Sequence, residues 1–171
     1  MSEVLANVRT ILQTTPTRWM ALTETVPADL LAARPAAGEW SAVECLIHIL
    51  DTEQVFQTRL QAFMSGRDFA AFNPDAQGTK LGPDTQAVEL AKRLMHLRQA
   101  SLADLASLTP ADLQRTARHA ELGQVTLAQM VNEWAAHDLN HTMQAEKALV
   151  QPFIAACGPW QVYFKDVVMK S

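Results

Sequence analysis

Glycine and proline partition this chain before any other residue type does. All six glycines, and every proline except Pro16, fall outside four stretches at about residues 2–25, 41–65, 84–108 and 126–150. Glycine costs backbone entropy in a helix and proline lacks the N–H that a helix interior needs, so long stretches free of both read as helices. Their apolar residues step at three and four. In the first these are Val4, Leu5, Val8, Ile11, Leu12, Trp19 and Leu22; in the third they include Val88, Ala91, Leu94, Met95, Leu102 and Leu105. Pro16 predicts a kink or a local break in the first helix. The second opens on Ser41-Ala42-Val43-Glu44, a capping box, and stops at Gly66. The fourth opens on a second capping box, Thr126-Leu127-Ala128-Gln129, and ends before Pro152. Within the second helix, Cys45 to Leu50 is apolar nearly all round, which predicts deep burial.

The connectors are long. Residues 26–40 hold one short helical turn at Pro27-Ala28-Asp29-Leu30, and Thr109-Pro110-Ala111-Asp112-Leu113 echoes it because proline suits a first helical position. Residues 66–83 form a loop whose Phe69 and Phe72 predict that part of it folds back over the core and walls a pocket. Residues 114–125 form a second plain connector. The tail, 151–171, carries Trp160, Tyr163 and Phe164 and is too apolar to hang free, so it is expected to pack on the bundle. With no convincing strand pattern, the prediction is a single all-α domain over 1–171. Its architecture is an antiparallel four-helix bundle whose long connectors argue against the simplest up-down-up-down design.

Composition narrows the function classes. A net charge of −4 excludes a broadly basic nucleic-acid footprint. Cys45 and Cys157 are too few for a disulfide framework. No apolar run approaches the length of a membrane span, and the start, Met1-Ser2-Glu3-Val4, shows no secretory signal. The expectation is a cytoplasmic protein acting on a small molecule, with no nucleic acid and no membrane.

Chemistry concentrates in histidine. His137 and His141 stand at i and i+4, one turn apart on one helix face, a spacing that lets two imidazoles share one metal ion. They continue the stripe Leu127, Met130, Trp134 toward Ala148, where a helix would place leucine. Buried polar groups need partners, and a metal satisfies both rings at once. His48 alone reads as a core histidine; beside the pair it becomes a third ligand. An open three-histidine site leaves a position for water or substrate. A water there would have its pKa lowered toward about 7, and a substrate thiol would bind as thiolate. His96 reads as a bundle-edge or surface residue and His119 as solvent-exposed.

Glu44 and Glu133 precede His48 and His137 by four residues, whereas di-iron bundles use E-x-x-H, so a dinuclear carboxylate site is disfavoured. Asp51 and Asp138 are candidate acceptors for imidazole N–H groups, and Asp51 a candidate base, against the alternative of a solvated helix face. Cys45 reads as a small buried side chain before it reads as a ligand or nucleophile. No G-x-S-x-G elbow and no phosphate loop occurs.

Two segments carry a family resemblance. Arg34-Pro35-Ala36-Ala37-Gly38-Glu39-Trp40-Ser41-Ala42-Val43-Glu44-Cys45-Leu46-Ile47-His48 resembles the RPxxGEWSxxExLxH segment of the DinB/YfiT-like superfamily. His137-Asp138-Leu139-Asn140-His141 resembles that family's HDxxH on the last bundle helix, about 90 residues later. The resemblance implies a four-helix bundle, often dimeric, with a divalent metal held by His48, His137 and His141. It also implies a metal-dependent hydrolase, or a transferase or isomerase using a low-molecular-weight thiol. Zinc or nickel leads among ions suited to three imidazoles, with iron, manganese and copper also compatible. The competing reading is a non-catalytic metal- or small-molecule-binding module.

Overall fold

The structure is a computed structural model that describes residues 3–169. Ser2, the expected helix start, and the last two residues of the tail lie outside the described residues. Four long helices stand close to where glycine and proline spacing places them: α1 Glu3–Thr25, α3 Ala42–Ser65, α5 Ala87–Ser107 and α6 Leu127–Ala156. Two short ones lie in the connectors, α2 Ala28–Ala32 and α4 Pro74–Gln77. The capping boxes form at α3 and α6. Glu44 N–H donates to Ser41 Oγ while the Glu44 carboxylate accepts from Ser41 N–H, and Thr126 and Gln129 repeat the exchange. Gly66 ends α3 at φ 68°, a left-handed position that favours glycine. Among the described residues no helix is long and apolar enough to cross a membrane.

Two groups of buried side chains give the helix directions. One joins Leu5, Val8 and Leu12 from the start of α1 to Leu60 and Phe63 near the end of α3, Leu105 near the end of α5, and Leu127 and Val131 at the start of α6. The other joins Trp19 near the end of α1 to Cys45 and Ile49 of α3, Ala91 and Leu94 of α5, and Ala145 of α6. Thus α1 runs parallel to α6, α3 runs parallel to α5, and the two pairs oppose each other. Both α1 and α3 pack against α5 and α6, which leaves α1 diagonal to α3 and α5 diagonal to α6. This topology explains the long loop. Joining parallel neighbours α3 and α5 requires the chain to travel back along a helix of roughly 36 Å, and residues 66–86 form that return strap.

Three local features depart from expectation. Helix α1 runs through Pro16 without a break, and α6 runs through Pro152. Pro16 has no N–H, so the Leu12 carbonyl four residues earlier loses its helical donor. Arg98 Nη1 from α5 donates to that carbonyl at 2.8 Å. Residues 114–125 are not a plain connector. They hold an antiparallel hairpin, β1 Thr116–His119 and β2 Gly123–Thr126, turning through Gly123 at φ 75°. The strap adds to its edge, with Phe69 N–H donating to Arg118 O at 3.1 Å and Ala120 N–H donating to Phe69 O at 3.2 Å. The tail is tied to α6 where Gln151 bonds the backbone of Val167 and Met169, yet Trp160 and Tyr163 remain 65% and 78% exposed, so these rings do not cover the bundle.

Candidate metal centre

Antiparallel packing of α3 on α6 brings the three predicted histidines together. One nitrogen each from His48, His137 and His141 lies within 4.8 Å of the others. His48 Nε2 and His137 Nε2 are 3.0 Å apart. Tetrahedral ligand nitrogens around one zinc-sized ion sit about 3.3 Å from one another, given metal–nitrogen bonds of about 2.0–2.1 Å; the 3.0 Å between His48 and His137 lies close to that value. Residues before and after α3 enclose the rings. Trp40 meets His48 edge-on at 5.0 Å and stacks on His141 at 5.8 Å, and Phe72 of the strap stacks on His48 at 6.4 Å. Phe56 closes the inner side against His137 at 5.6 Å.

The electrostatics favour neutral imidazoles. Burial, then the neighbouring His141, hold His48 down at about 4 despite Asp51. Burial and the other two histidines hold His137 at about 3, with Arg59 and Arg98 pushing the same way. Burial also lowers His141, opposed by Gln144 and Asp138. All three rings therefore offer lone pairs at neutral pH. His141 Nδ1–H donates to Gln144 Oε1 at 2.8 Å, which leaves Nε2 as the free donor atom. His137 Nδ1 is buried with no hydrogen-bond partner, and its Nε2 meets only another imidazole nitrogen. A cation held among the three Nε2 atoms would accept all their lone pairs and leave the His137 Nδ1 outside its reach, so the facing Nε2 set fits a divalent metal ion.

The two predicted carboxylates have other partners. Asp51 accepts from Thr79 N–H at 2.6 Å and Thr79 Oγ1–H at 2.7 Å, which pins the strap to α3 beside His48. Asp138, 1% exposed, accepts from Arg98 Nη1 at 2.7 Å and Nη2 at 3.3 Å. Arg98 also pairs with Glu53 at 2.9 Å, and Glu53 accepts from Ser101 Oγ–H and Trp134 Nε1–H. With the Leu12 carbonyl, this buried network ties all four long helices together immediately behind His137. Glu53 and Arg98 were not singled out from the sequence. The available signal was a charge interrupting each apolar stripe, Glu53 between Leu50 and Phe56, Arg98 between Leu94 and Leu105.

The remaining assignments divide. Glu44 binds Arg34 and Ser41, and Glu133 faces Arg59 at 3.6 Å, so neither carboxylate joins the histidines. Cys45 is fully buried, and burial pushes its thiol up to about 12, leaving it a core side chain. His96 is exposed as expected. His119 is not: it is 7% exposed, packed edge-on against Phe69 at 5.5 Å, with its Nδ1 accepting from Glu121 and Leu122 N–H. A cavity of about 210 Å³ opens beside His48, lined by Arg34, Trp40, Asp51, Thr79 and Lys80 among others.

Residues 11–145 match the family model of the DinB superfamily. Among solved structures, YfiT from Bacillus subtilis, described as a probable metal-dependent hydrolase with an unusual four-helix bundle topology, shares the fold. It has a TM-score of 0.77 and 16% identity over 90% of this chain and 90% of that one. A DinB-like protein of Bacillus subtilis, YjoA, gives a TM-score of 0.59 and 20% identity over 86% and 92% of the two chains. No curated protein matches the chain. The matched segment contains His48, His137 and His141, and the diagonal bundle order accords with the structural likeness: the chain belongs to the DinB superfamily.

Proposed function

We propose that His48, His137 and His141 hold one divalent metal ion, zinc or nickel in first place, and that the protein is a metal-dependent hydrolase of a small organic molecule. The observation that carries this reading is the convergence of three neutral imidazoles, with His48 Nε2 and His137 Nε2 3.0 Å apart. Such an ion, when bound, lowers the pKa of a coordinated water or thiol so that a nucleophile is available near neutral pH. The chain supplies the rest. Gln144 fixes the tautomer of His141, and the Arg98 network holds α6 in register behind His137. Trp40 stacks on His141 and Phe72 on His48, and Asp51 pins the strap beside them by way of Thr79. Thiol S-transfer uses the same donor set with a thiol in place of water.

The test is metal content by mass spectrometry, on protein purified without a metal-affinity column, for wild type and His48→Ala, His137→Ala and His141→Ala. About one ion per chain, lost in each folded variant, is expected. Metal-free wild type after reconstitution would overturn the assignment. Turnover of activated esters and amides with and without added thiol then separates hydrolysis from S-transfer.

A further inference from the structure

Arg59 is a cation that this fold buries with, among the described residues, only a half-exposed carboxylate at 3.6 Å to face it. Its side chain is 11% exposed, its Nε has no hydrogen-bond partner, and its one carboxylate neighbour, Glu133, is 53% exposed and 3.6 Å away. Its guanidinium lies over Phe56 at 5.7 Å and Phe69 at 5.4 Å. Those rings take the place of water, and burial lowers its pKa against the opposing pull of Glu133.

The contact with His119 shows what is missing. Arg59 Nη2 stands 3.5 Å from His119 Nε2. His119 Nδ1 accepts from two backbone N–H groups, at 3.1 and 3.3 Å. A neutral imidazole that accepts at Nδ1 carries its proton on Nε2. Arg59 and His119 therefore face each other donor to donor. Two N–H donors converging on one spot, one of them on a buried cation, are satisfied together by a single oxyanion.

A groove runs beside Arg59 along the strap as far as Phe72. It measures about 300 Å³ and is lined by Val55, Thr58, Arg59, Phe69 and Phe72 among others. Phe72 is also the ring that stacks on His48. Phe56 bridges the inner side, 5.6 Å from the His137 ring and 5.7 Å from the Arg59 guanidinium, so these two groups stand within about 11 Å of each other.

We propose that Arg59 and His119 bind the carboxylate of a small amphipathic substrate, whose apolar body lies along the strap groove and whose reacting end reaches His48 and His137. The carboxylate site stands on the donor pair alone; only the placement of the reacting end rests on the metal-site reading. One cation with Glu133 beside it suits a monoanion better than a dianionic phosphate.

The test is an NMR titration of metal-loaded wild-type protein with 4-phenylbutyrate, 4-phenylbutanamide and inorganic phosphate, following the His119 imidazole and strap amides. The acid is expected to bind saturably and shift His119, with the amide and phosphate each at least tenfold weaker. Arg59→Met is expected to lose at least tenfold in acid affinity and to bind acid and amide alike. His48→Ala is expected to bind the acid as wild type does even though it loses its metal; wild type that takes up no metal yet binds the acid overturns the metal reading and leaves this one standing. Equal binding of acid and amide by wild type would overturn the proposal, and that comparison holds even if Arg59→Met does not fold. Acid binding lost in His48→Ala but kept in Arg59→Met would also overturn it, as would tighter binding of phosphate.

Discussion

Replacing Arg98 by methionine should be among the most destabilising single substitutions in this protein. Arg98 is 1% exposed and neutralises two equally buried carboxylates, Glu53 and Asp138, while its Nη1 also satisfies the Leu12 carbonyl that Pro16 leaves without a helical donor. Methionine keeps much of the volume but none of the charge. Two carboxylates then share a dry core with no cation between them. Breaking one buried pair costs about 3–5 kcal/mol, and stranding a buried carbonyl about 1–3 kcal/mol. The contributions overlap because the network acts as a unit, so the expected loss is about 5 kcal/mol at pH 7. Against a total stability of roughly 5–15 kcal/mol, this leaves a marginal fold. With a urea slope of about 2 kcal/mol/M, the unfolding midpoint moves down by about 2.5 M. The assay is urea denaturation followed by helical circular dichroism. The triple variant Arg98→Met/Glu53→Gln/Asp138→Asn should recover at least about 2 kcal/mol over the single, because it removes the stranded charges as well as their partner. A single variant that costs under about 1.5 kcal/mol, or a triple variant no better than the single, refutes the reasoning.

Two further predictions follow from the site. His48 and His137 sit at about 4 and about 3 in the folded protein, below the ordinary histidine value of 6.5. A base whose folded pKa is lowered costs no stability above its unfolded value, and stability drains away as pH falls from about 6.5 toward 4, because only the unfolded chain takes up protons there. Urea midpoints of chelator-treated protein at pH 7.5, 6, 5 and 4 should therefore fall more steeply for wild type than for His48→Ala/His137→Ala; parallel curves would contradict it. Asp51→Ala removes both hydrogen bonds that pin Thr79, so global stability should change by no more than about 1–2 kcal/mol while amide exchange across residues 74–81 accelerates at least tenfold. Unchanged exchange in that segment would show that the strap is held by other contacts.

Much of the bundle was legible because helices announce themselves by interruption. Capping boxes at Ser41 and Thr126 and the glycine at 66 fix three helix ends by local chemistry alone. Pro16 misled for a tertiary reason: a missing N–H matters less when another element meets the orphaned carbonyl, as Arg98 does at Leu12. The hairpin at 116–126 was hidden because each strand is only four residues long, the shortest run in which alternation can be read, and the second shows none. The histidine triad could be read because His137 and His141 share a helix turn. Asp138 was read as a candidate support for an imidazole; its partner lay on another helix, and only the fold reveals that a buried arginine claims it. His119 was misplaced for the same reason, since the aromatic ring that covers it comes from the strap 50 residues earlier.

The diagonal placement of α1 against α3 constrains how the chain can assemble. Successive helices in an up-down bundle close as hairpins as they emerge; here the first two long helices share almost no interface, and the next pair, α3 and α5, meet only after the strap has run the length of the bundle. An amino-terminal segment ending at Ser65 therefore has two apolar stripes and nothing to cover them with. The stripe of α1 waits for Leu94 to Leu105, and the core closes only when α6 arrives, more than a hundred residues after α1 was made. Loop closure must precede its reward at every step, so this all-helical domain carries an order of assembly more typical of parallel sheets than of helical bundles.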